Sequence, residues 1–275
     1  MPEHDYLTAL LDAYWFAPPV ALWRAVELRA AAQETFARPL LDVGCGDALI
    51  GRVLFGSGGI DAGIDPWAAQ LRAAARSGVY RWVQQADGLH LPYASATFAT
   101  AFINSVLEHI PDVAPVVREV GRVLRPGGRF IFTVPSDAFR RLLDAYQVRL
   151  AAGDPEGAER YAAQVDRRLA HYHYHTPGEW GELLDAAGME VESARYYVPE
   201  PTARLWDRMN GRFGIGRRSL WGMLASPRLR PLGTQAILQR WVVQTLGRAW
   251  RPYYEMDVEP GHKGSGLLVV GRKLR

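Results

Sequence analysis

The sequence has little cysteine and no long hydrophobic run. Its single cysteine, Cys45, excludes an intrachain disulfide. No uncharged apolar stretch reaches the roughly 18 residues that a membrane-spanning helix needs, and the segment MPEHDYLTALLDAYWF lacks a basic region ahead of an apolar run. We therefore expect a cytoplasmic protein. Its 275 residues, of which 48% are hydrophobic, are enough for one large domain with a substantial core.

Acidic residues are scarce in one segment. Between Pro201 and Arg251 there are ten arginines but a single acid, Asp207, although the net charge of the chain is only +3. Apolar residues at helical spacing predict an amphipathic helix from Leu232 to Trp250, with Gln239, Arg240, Gln244 and Arg248 on its polar face. Because the segment also contains Trp206, Trp221, Trp241 and Trp250, contact with an anionic membrane surface is one interpretation. A cover over a substrate pocket and RNA binding are the alternatives.

The stretch LLDVGCGDALIG, from Leu40 to Gly51, predicts a buried strand, a tight turn and a helix. Such a turn is typical of nucleotide binding, because glycines let the backbone pass close to a ligand and the helix start offers N–H groups. Leu49 stands where the dinucleotide fingerprint has a small residue, and Asp47 would place a carboxylate beside a pyrophosphate. The turn therefore favours a ligand without phosphates.

Together with this turn, three further segments resemble the class I S-adenosylmethionine-dependent methyltransferases: ADGLHLPYASATFA, NSVLEHIPD and VVREVGRVLRPGGRFIFTVP. The resemblance covers residues 38–135, 176–198 and 266–274. It implies an α/β, Rossmann-like fold with a seven-stranded, mostly parallel sheet and helices on both faces. The last strand would be antiparallel and lie between strands five and six. The resemblance also implies S-adenosylmethionine as cofactor and methyl transfer as the reaction.

The acid Asp65 lies nineteen residues beyond Gly46, the spacing at which an acid after the second strand accepts hydrogen bonds from ribose hydroxyls. The resemblance assigns Asp65 the same role, Asp87 the adenine amino group, and Asn104 the sulfonium region. The alternatives are a helix cap for Asp65 and an ordinary Asp-Gly turn for Asp87. The candidate cofactor-binding residues are Asp42, Gly44, Cys45, Gly46, Asp65, Pro66, Asp87, Gly88, Leu89, Asn104 and Ser105.

Glu108 and His109, just beyond the predicted fourth strand, are the candidate catalytic residues. A hydroxyl acceptor would benefit from a general base, and the ordinary histidine pKa near ~6.5 suits that role. Alternatively, both residues belong to a helix start. The alternating His171, His173 and His175 would share one face of an extended segment, but a fourth ligand and a partner acid are not evident, so we expect no metal. We expect these histidines at the substrate mouth, with His173 and His175 as secondary base candidates.

The predicted organisation is a single methyltransferase domain over residues 1–275 with three helical additions that form a cap. These are an amino-terminal lid at 1–36 with helices at 6–14 and 20–36, an insertion at 137–175, and the basic aromatic insertion at 199–262 between strands six and seven. The predicted function is methyl transfer from S-adenosylmethionine to a hydrophobic or lipid-like small molecule. RNA or polar natural-product methylation, and cofactor binding without turnover, are the alternatives. Expected partners are the acceptor and an anionic membrane surface; the oligomeric state is open.

Overall fold

The computed structural model describes residues 4–213 and 234–274, so that part of the predicted basic insertion, including Trp221 and the start of its amphipathic helix, lies outside the described residues. Two compact units make up the chain. The unit that we call the sheet unit comprises Ala31–Asp137, Asp166–Arg195 and Gly266–Arg275. The other, the helical unit, comprises Met1–Ala30, Ala138–Val165 and Tyr196–Ser265.

A seven-stranded sheet in the order β3-β2-β1-β4-β5-β7-β6 forms the centre of the sheet unit. Its strands are β1 Leu40–Val43, β2 Ile60–Asp65, β3 Tyr80–Gln85, β4 Phe98–Asn104, β5 Leu124–Pro135, β6 Met189–Tyr197 and β7 Gly266–Lys273. Strands β1 to β5 pair in parallel, whereas β7 is antiparallel to β5, with Phe132 opposite Val269. The predicted Rossmann-like sheet with an inserted antiparallel last strand is confirmed.

Burial along the strands follows their position in the sheet. All four residues of the central strand β1 are buried, as expected for a parallel strand covered on both faces, whereas most side chains of the edge strand β3 are exposed. The described α-helices are α1 Tyr6–Ala13, α2 Pro18–Ala31, α3 Leu49–Phe55, α4 Ala68–Arg76, α5 Ala114–Val123, α6 Asp144–Ala151, α7 Pro155–Leu169, α8 Pro177–Asp185, α9 Glu200–Phe213 and α10 Thr234–Glu255.

Helix α8 begins at a signal that the sequence itself shows, because Thr176 is followed by Pro177 and, three residues on, by Glu179. The Thr176 side chain accepts the N–H of Glu179, and the Glu179 carboxylate accepts the Thr176 N–H, which together form a capping box. The helix then buries Trp180 against Phe132 of β5, with ring centroids 4.8 Å apart. The capping box and the burial of Trp180 therefore both stabilise this helix.

Helix α2 differs from its prediction at both ends. It begins at Pro18, because proline fits the first turn of a helix, where its missing N–H has no intrahelical acceptor. It ends at Ala31, before the predicted limit at Phe36. In the rest of the helical unit, α6, α7, α9 and α10 occupy parts of the two predicted insertions. The lid and the cap remain predictions.

The spacing of apolar residues predicts that Ile237 and Trp241 share one apolar face of α10 with Val242 and Trp250, and this prediction is wrong. Val242 and Trp250 are buried, but Ile237 is 72% and Trp241 52% exposed. At 100° per residue these two lie on the side of the helix away from Gln239, whose side-chain amide donates to Asp12 of α1. Helix α10 thus packs with the Gln239 side inward. Within the described ranges, no helix has the length and apolarity to cross a membrane.

Candidate active site

The glycine turn after β1 lies at the carboxyl end of the parallel strands. Gly44 and Gly46 have φ angles of +82° and +53°, which glycine adopts without strain. The N–H groups of Gly44 and Cys45 both donate to the Ile64 carbonyl, at 2.8 and 2.9 Å, and so fix the turn to the end of β2. A Cβ on Gly44 would lie 2.6 Å from a Val106 methyl, whereas a Cβ on Gly46 would meet nothing within 4 Å. The backbone at Gly46 is therefore open to a ligand.

Asp65 ends β2 beside this turn. Its buried carboxylate accepts the N–H of Gly46 at 3.0 Å and the N–H of Trp67 at 2.8 Å. An ionised carboxylate has about four lone-pair positions, so Asp65 retains acceptor capacity for hydroxyl donors. The next residue, Pro66, accepts the Gln85 side-chain amide through its carbonyl at 3.0 Å. These bonds position the end of β2 before any ligand arrives.

Asp42 lies beneath the turn with its carboxyl group buried. It accepts the Tyr80 hydroxyl at 2.6 Å. Burial raises the pKa of Asp42 to about 7; the Tyr80 bond opposes this rise and the nearby Asp65 carboxylate adds to it. Burial and the Asp42 and Asp65 carboxylates also raise the pKa of the Cys45 thiol, which therefore stays protonated at neutral pH. A protonated thiol is not an active nucleophile, so Cys45 serves as a small lining residue of the turn.

The segment that was predicted to bind adenine forms an Asp-Gly turn at Asp87, which was the alternative interpretation. One carboxylate oxygen of Asp87 accepts the N–H groups of Leu89 and His90, at 3.0 and 3.1 Å. The Asp87 side chain is 55% exposed, and that of Leu89 is also exposed, so both are accessible to a ligand. Gly88 packs closely below them, since a Cβ there would lie 3.1 Å from Val116 of α5.

Strand β4 ends at Asn104, and a short 3₁₀ turn, Leu107–His109, follows. Between them, Ser105 has a φ of +47° and donates its N–H to the Thr133 carbonyl at 3.0 Å. The turn buries Glu108 and leaves the His109 side chain 43% exposed. Nε2 of His109 lies 3.9 Å from Oε1 of Glu108. The predicted catalytic pair is thus adjacent at the carboxyl edge of the sheet.

The three alternating histidines separate into two groups, contrary to the predicted common face. The His171 ring lies 5.3 Å from that of His109, measured between centroids. The His173 and His175 rings instead stack at 4.5 Å, and both lie near Trp180. Burial lowers the pKa of His175, and the neighbouring His173 lowers it further.

Two tyrosines that the sequence analysis missed position these groups. Tyr80 bonds to Asp42 across 38 residues, and Tyr174 lies 3.0 Å from Nδ1 of His171. The only local signal for Tyr80 is its place at the start of a strand, and nothing in that signal identifies its partner.

Comparison with known proteins identifies the family. Residues 41–132 match the family model described as a methyltransferase domain. A ubiquinone biosynthesis O-methyltransferase from Aeromonas salmonicida (strain A449) is 30% identical over 174 residues, which cover 60% of this chain and 68% of that protein. The chain belongs to the class I S-adenosylmethionine-dependent methyltransferases. A protein of the same name from Cronobacter sakazakii (strain ATCC BAA-894) is 31% identical over 103 residues, or 36% of this methyltransferase and 42% of that protein.

Solved structures support the same fold. An S-adenosylmethionine-dependent methyltransferase from Thermotoga maritima superposes with a TM-score of 0.56 at 14% identity, covering 97% of this chain and 99% of that one. A geranyl diphosphate methyltransferase in complex with S-adenosylmethionine superposes with a TM-score of 0.53 at 14% identity, covering 94% and 90% of the two chains. At this identity the likeness establishes the fold.

S-Adenosylmethionine is the cofactor of this methyltransferase, and the site suits its chemistry. The open backbone at Gly46 permits close approach of a ligand. The carboxylates of Asp65 and Asp87 supply acceptors for hydroxyl and amino groups, and their negative charges favour a cationic sulfonium over a phosphate. The contacts of individual residues with the cofactor remain predictions.

Proposed function

We propose that this methyltransferase methylates a hydroxyl oxygen of a hydrophobic small molecule. The observation that carries the proposal is the Glu108–His109 pair at the carboxyl edge, just after Asn104, where open α/β sheets bind their ligands. Two relatives, from A. salmonicida and C. sakazakii, are named O-methyltransferases of ubiquinone biosynthesis. Their names favour an aromatic hydroxyl on a molecule with an apolar tail.

The chain's residues hold the reactants and handle one proton. When bound, S-adenosylmethionine supplies a methyl group already activated by its sulfonium. The Gly44–Gly46 turn and Asp65 would orient that group by holding the adenosine. The Glu108–His109 pair would accept the proton of the acceptor hydroxyl, whose oxygen would take the methyl group that S-adenosylmethionine supplies; S-adenosylhomocysteine would be the other product. Nδ1 of His109 lies 3.1 Å from the Ala170 carbonyl, which orients the ring.

A matched set of acceptors tests this proposal. We expect methylation of a dihydroxybenzene with an isoprenoid tail, measured by mass spectrometry of the product. Removing one isoprene unit should lower kcat/KM at least about tenfold, because each buried CH₂ contributes about 0.8 kcal/mol. The same compound with amino groups in place of the hydroxyls should not react.

Calorimetric titration with S-adenosylmethionine is the control for every preparation. Faster methylation of the amine, or of RNA, would contradict the proposed acceptor. Normal cofactor binding without turnover on any of these compounds would favour the alternative of a non-catalytic S-adenosylmethionine-binding protein.

We also propose that α10 contacts an anionic membrane surface, from which an apolar acceptor would be drawn. Ile237 and Trp241 are exposed one turn apart, and Arg240 and Arg248 are exposed on the same side of the helix. Exposed apolar side chains flanked by arginines are typical of a helix at a lipid interface. Because the exposed apolar patch, within the described residues of α10, consists of only Ile237 and Trp241, we expect attachment to the membrane to be reversible.

Replacing both Ile237 and Trp241 with serine should weaken binding to vesicles of phosphatidylglycerol and phosphatidylcholine at least about tenfold in co-sedimentation, because both side chains lose apolar burial. Wild-type binding should decrease with salt as the arginines are screened. Trp82→Ser, at another exposed tryptophan, on β3, is the matched control and should bind like wild type. Equal binding by all three proteins would contradict the proposed surface.

A further inference from the structure

Three side chains with metal-ligating atoms meet beyond the carboxyl end of β4. The ligand atoms of Glu108, His109 and His171 all lie within 4.8 Å of one another. Glu108 and His109 come from the 3₁₀ turn, whereas His171 comes from the segment after α7. The Tyr172 N–H donates to the Glu108 carbonyl at 2.9 Å and joins the two segments. We propose that these three residues bind a divalent transition-metal ion.

The hydrogen bond of His109 prepares its ring for this role. Nδ1 lies 3.1 Å from the Ala170 carbonyl oxygen, which only accepts hydrogen bonds. Nδ1 therefore carries a proton, and in the neutral imidazole, the form that binds a metal, the lone pair is on Nε2. Since Nε2 is the atom 3.9 Å from the Glu108 carboxylate, the imidazole presents its ligating nitrogen to the carboxylate oxygen.

A second chain of hydrogen bonds prepares His171. The Tyr174 hydroxyl donates its proton to Asp166 at 2.6 Å, so the oxygen of that hydroxyl accepts the Nδ1–H of His171 at 3.0 Å. The lone pair of His171 is again on Nε2. The backbone N–H of His171 also donates to the Asp166 carbonyl at 3.0 Å. Histidine ligands of metals characteristically donate their other ring N–H to a carbonyl or a carboxylate-linked group, which fixes the tautomer and the ring orientation.

The set of donors decides the class of ion. Two imidazoles and one carboxylate suit Zn²⁺ or Fe²⁺, whereas Mg²⁺ and Ca²⁺ prefer oxygen ligands. Bond lengths of about 2.0–2.2 Å require the three ligand atoms to approach one another by a further ångström or so, and the part-exposed His109 side chain has room to move.

Three protein ligands leave a coordination position for a water molecule or an acceptor oxygen. The role of the ion in catalysis rests on the proposed O-methyl transfer. A hydroxyl bound to the ion would lose its proton to solvent more readily. In the metal-loaded enzyme, the ion would therefore promote this proton loss in place of the Glu108–His109 pair. Binding of the ion itself does not depend on that function.

Cobalt titration of the full-length, untagged protein after treatment with a chelator tests the site directly. We expect one Co²⁺ per chain with visible absorption bands of a protein-ligated ion, and displacement by Zn²⁺. His109→Ala and His171→Ala should each weaken Co²⁺ binding at least about 100-fold. Tyr174→Phe keeps all three ligands, removes the hydroxyl that links His171 to Asp166, and should weaken binding about 10- to 100-fold.

His173→Ala, two residues from His171, is the matched control because Nε2 of His173 faces the Ile110 carbonyl at 3.0 Å. It should bind Co²⁺ like wild type. Thermal unfolding and calorimetric binding of S-adenosylmethionine confirm that each variant is folded. Unchanged Co²⁺ affinity in both His109→Ala and His171→Ala, or no stoichiometric binding by wild type, would overturn the site.

Methyl transfer is measured separately in the chelated and the metal-loaded enzyme. A bound ion with no O-methylation of any acceptor would contradict the proposed function and still support the site. O-methylation at the full rate by chelated enzyme would overturn the catalytic role of the ion.

Discussion

Replacing Asp65 with alanine is expected to weaken S-adenosylmethionine binding by about 100-fold or more. Hydrogen bonds to a charged group contribute about 1.5–3 kcal/mol each, and the predicted contact involves both ribose hydroxyls. The variant also removes the acceptor of the Gly46 and Trp67 N–H groups, so the glycine turn loses a positioning bond. Calorimetric titration of the cofactor measures the loss.

Asp61→Asn is the matched control for this substitution. Asp61 lies near the opposite end of the same strand and bonds to Arg38 and to the N–H of Leu40. Its replacement should lower thermal stability without changing cofactor affinity. If Asp65→Ala is folded and binds the cofactor as tightly as wild type, the ribose contact is wrong and another acid holds the adenosine.

The strands and the glycine turn could be predicted because their signals are local, whereas the order of the strands in the sheet was implied by the resemblance to the family. Apolar runs, Gly44, Gly46 and the capping box at Thr176 act within a few residues of chain, and the structure has each element where these signals place it. The apolar face of α10 was mispredicted because packing against α1 decides which side of that helix is inward. Spacing alone gave no indication of the bond between Gln239 and Asp12.

The candidate site was only partly predictable for the same reason. Asp65 follows a strand at a recognisable distance from Gly46, and so the sequence indicates its place. The partners of Asp42 and His171 come from elsewhere in the fold: Tyr80 is 38 residues from Asp42, and His171 meets His109 only when α7 has returned the chain to the sheet. No metal was expected from the sequence because neither a fourth ligand nor a partner acid was evident for the three alternating histidines.

Asp42→Asn should change the pH dependence of stability. Because burial raises the folded-state pKa of Asp42 from 3.8 to about 7, its favourable contribution is fully present below the unfolded-state pKa and is lost as pH rises through about 7. One pKa unit corresponds to about 1.4 kcal/mol, so the wild type should lose at most roughly 4 kcal/mol through this group between pH 4 and pH 8. Asparagine has no such titration.

The free energy of unfolding of Asp42→Asn, minus that of wild type, should therefore rise between pH 4 and pH 8 in urea titrations. Taking the difference at each pH removes the contribution of the other titrating groups. Asp61→Asn should instead give a nearly flat difference over this range, because the Arg38 hydrogen bond lowers the pKa of Asp61 and the carboxyl group is ionised in both the folded and the unfolded protein above the unfolded-state pKa. A flat difference for Asp42→Asn would mean that Asp42 is ionised in the folded protein throughout this range, with the Tyr80 hydrogen bond and solvent access outweighing burial.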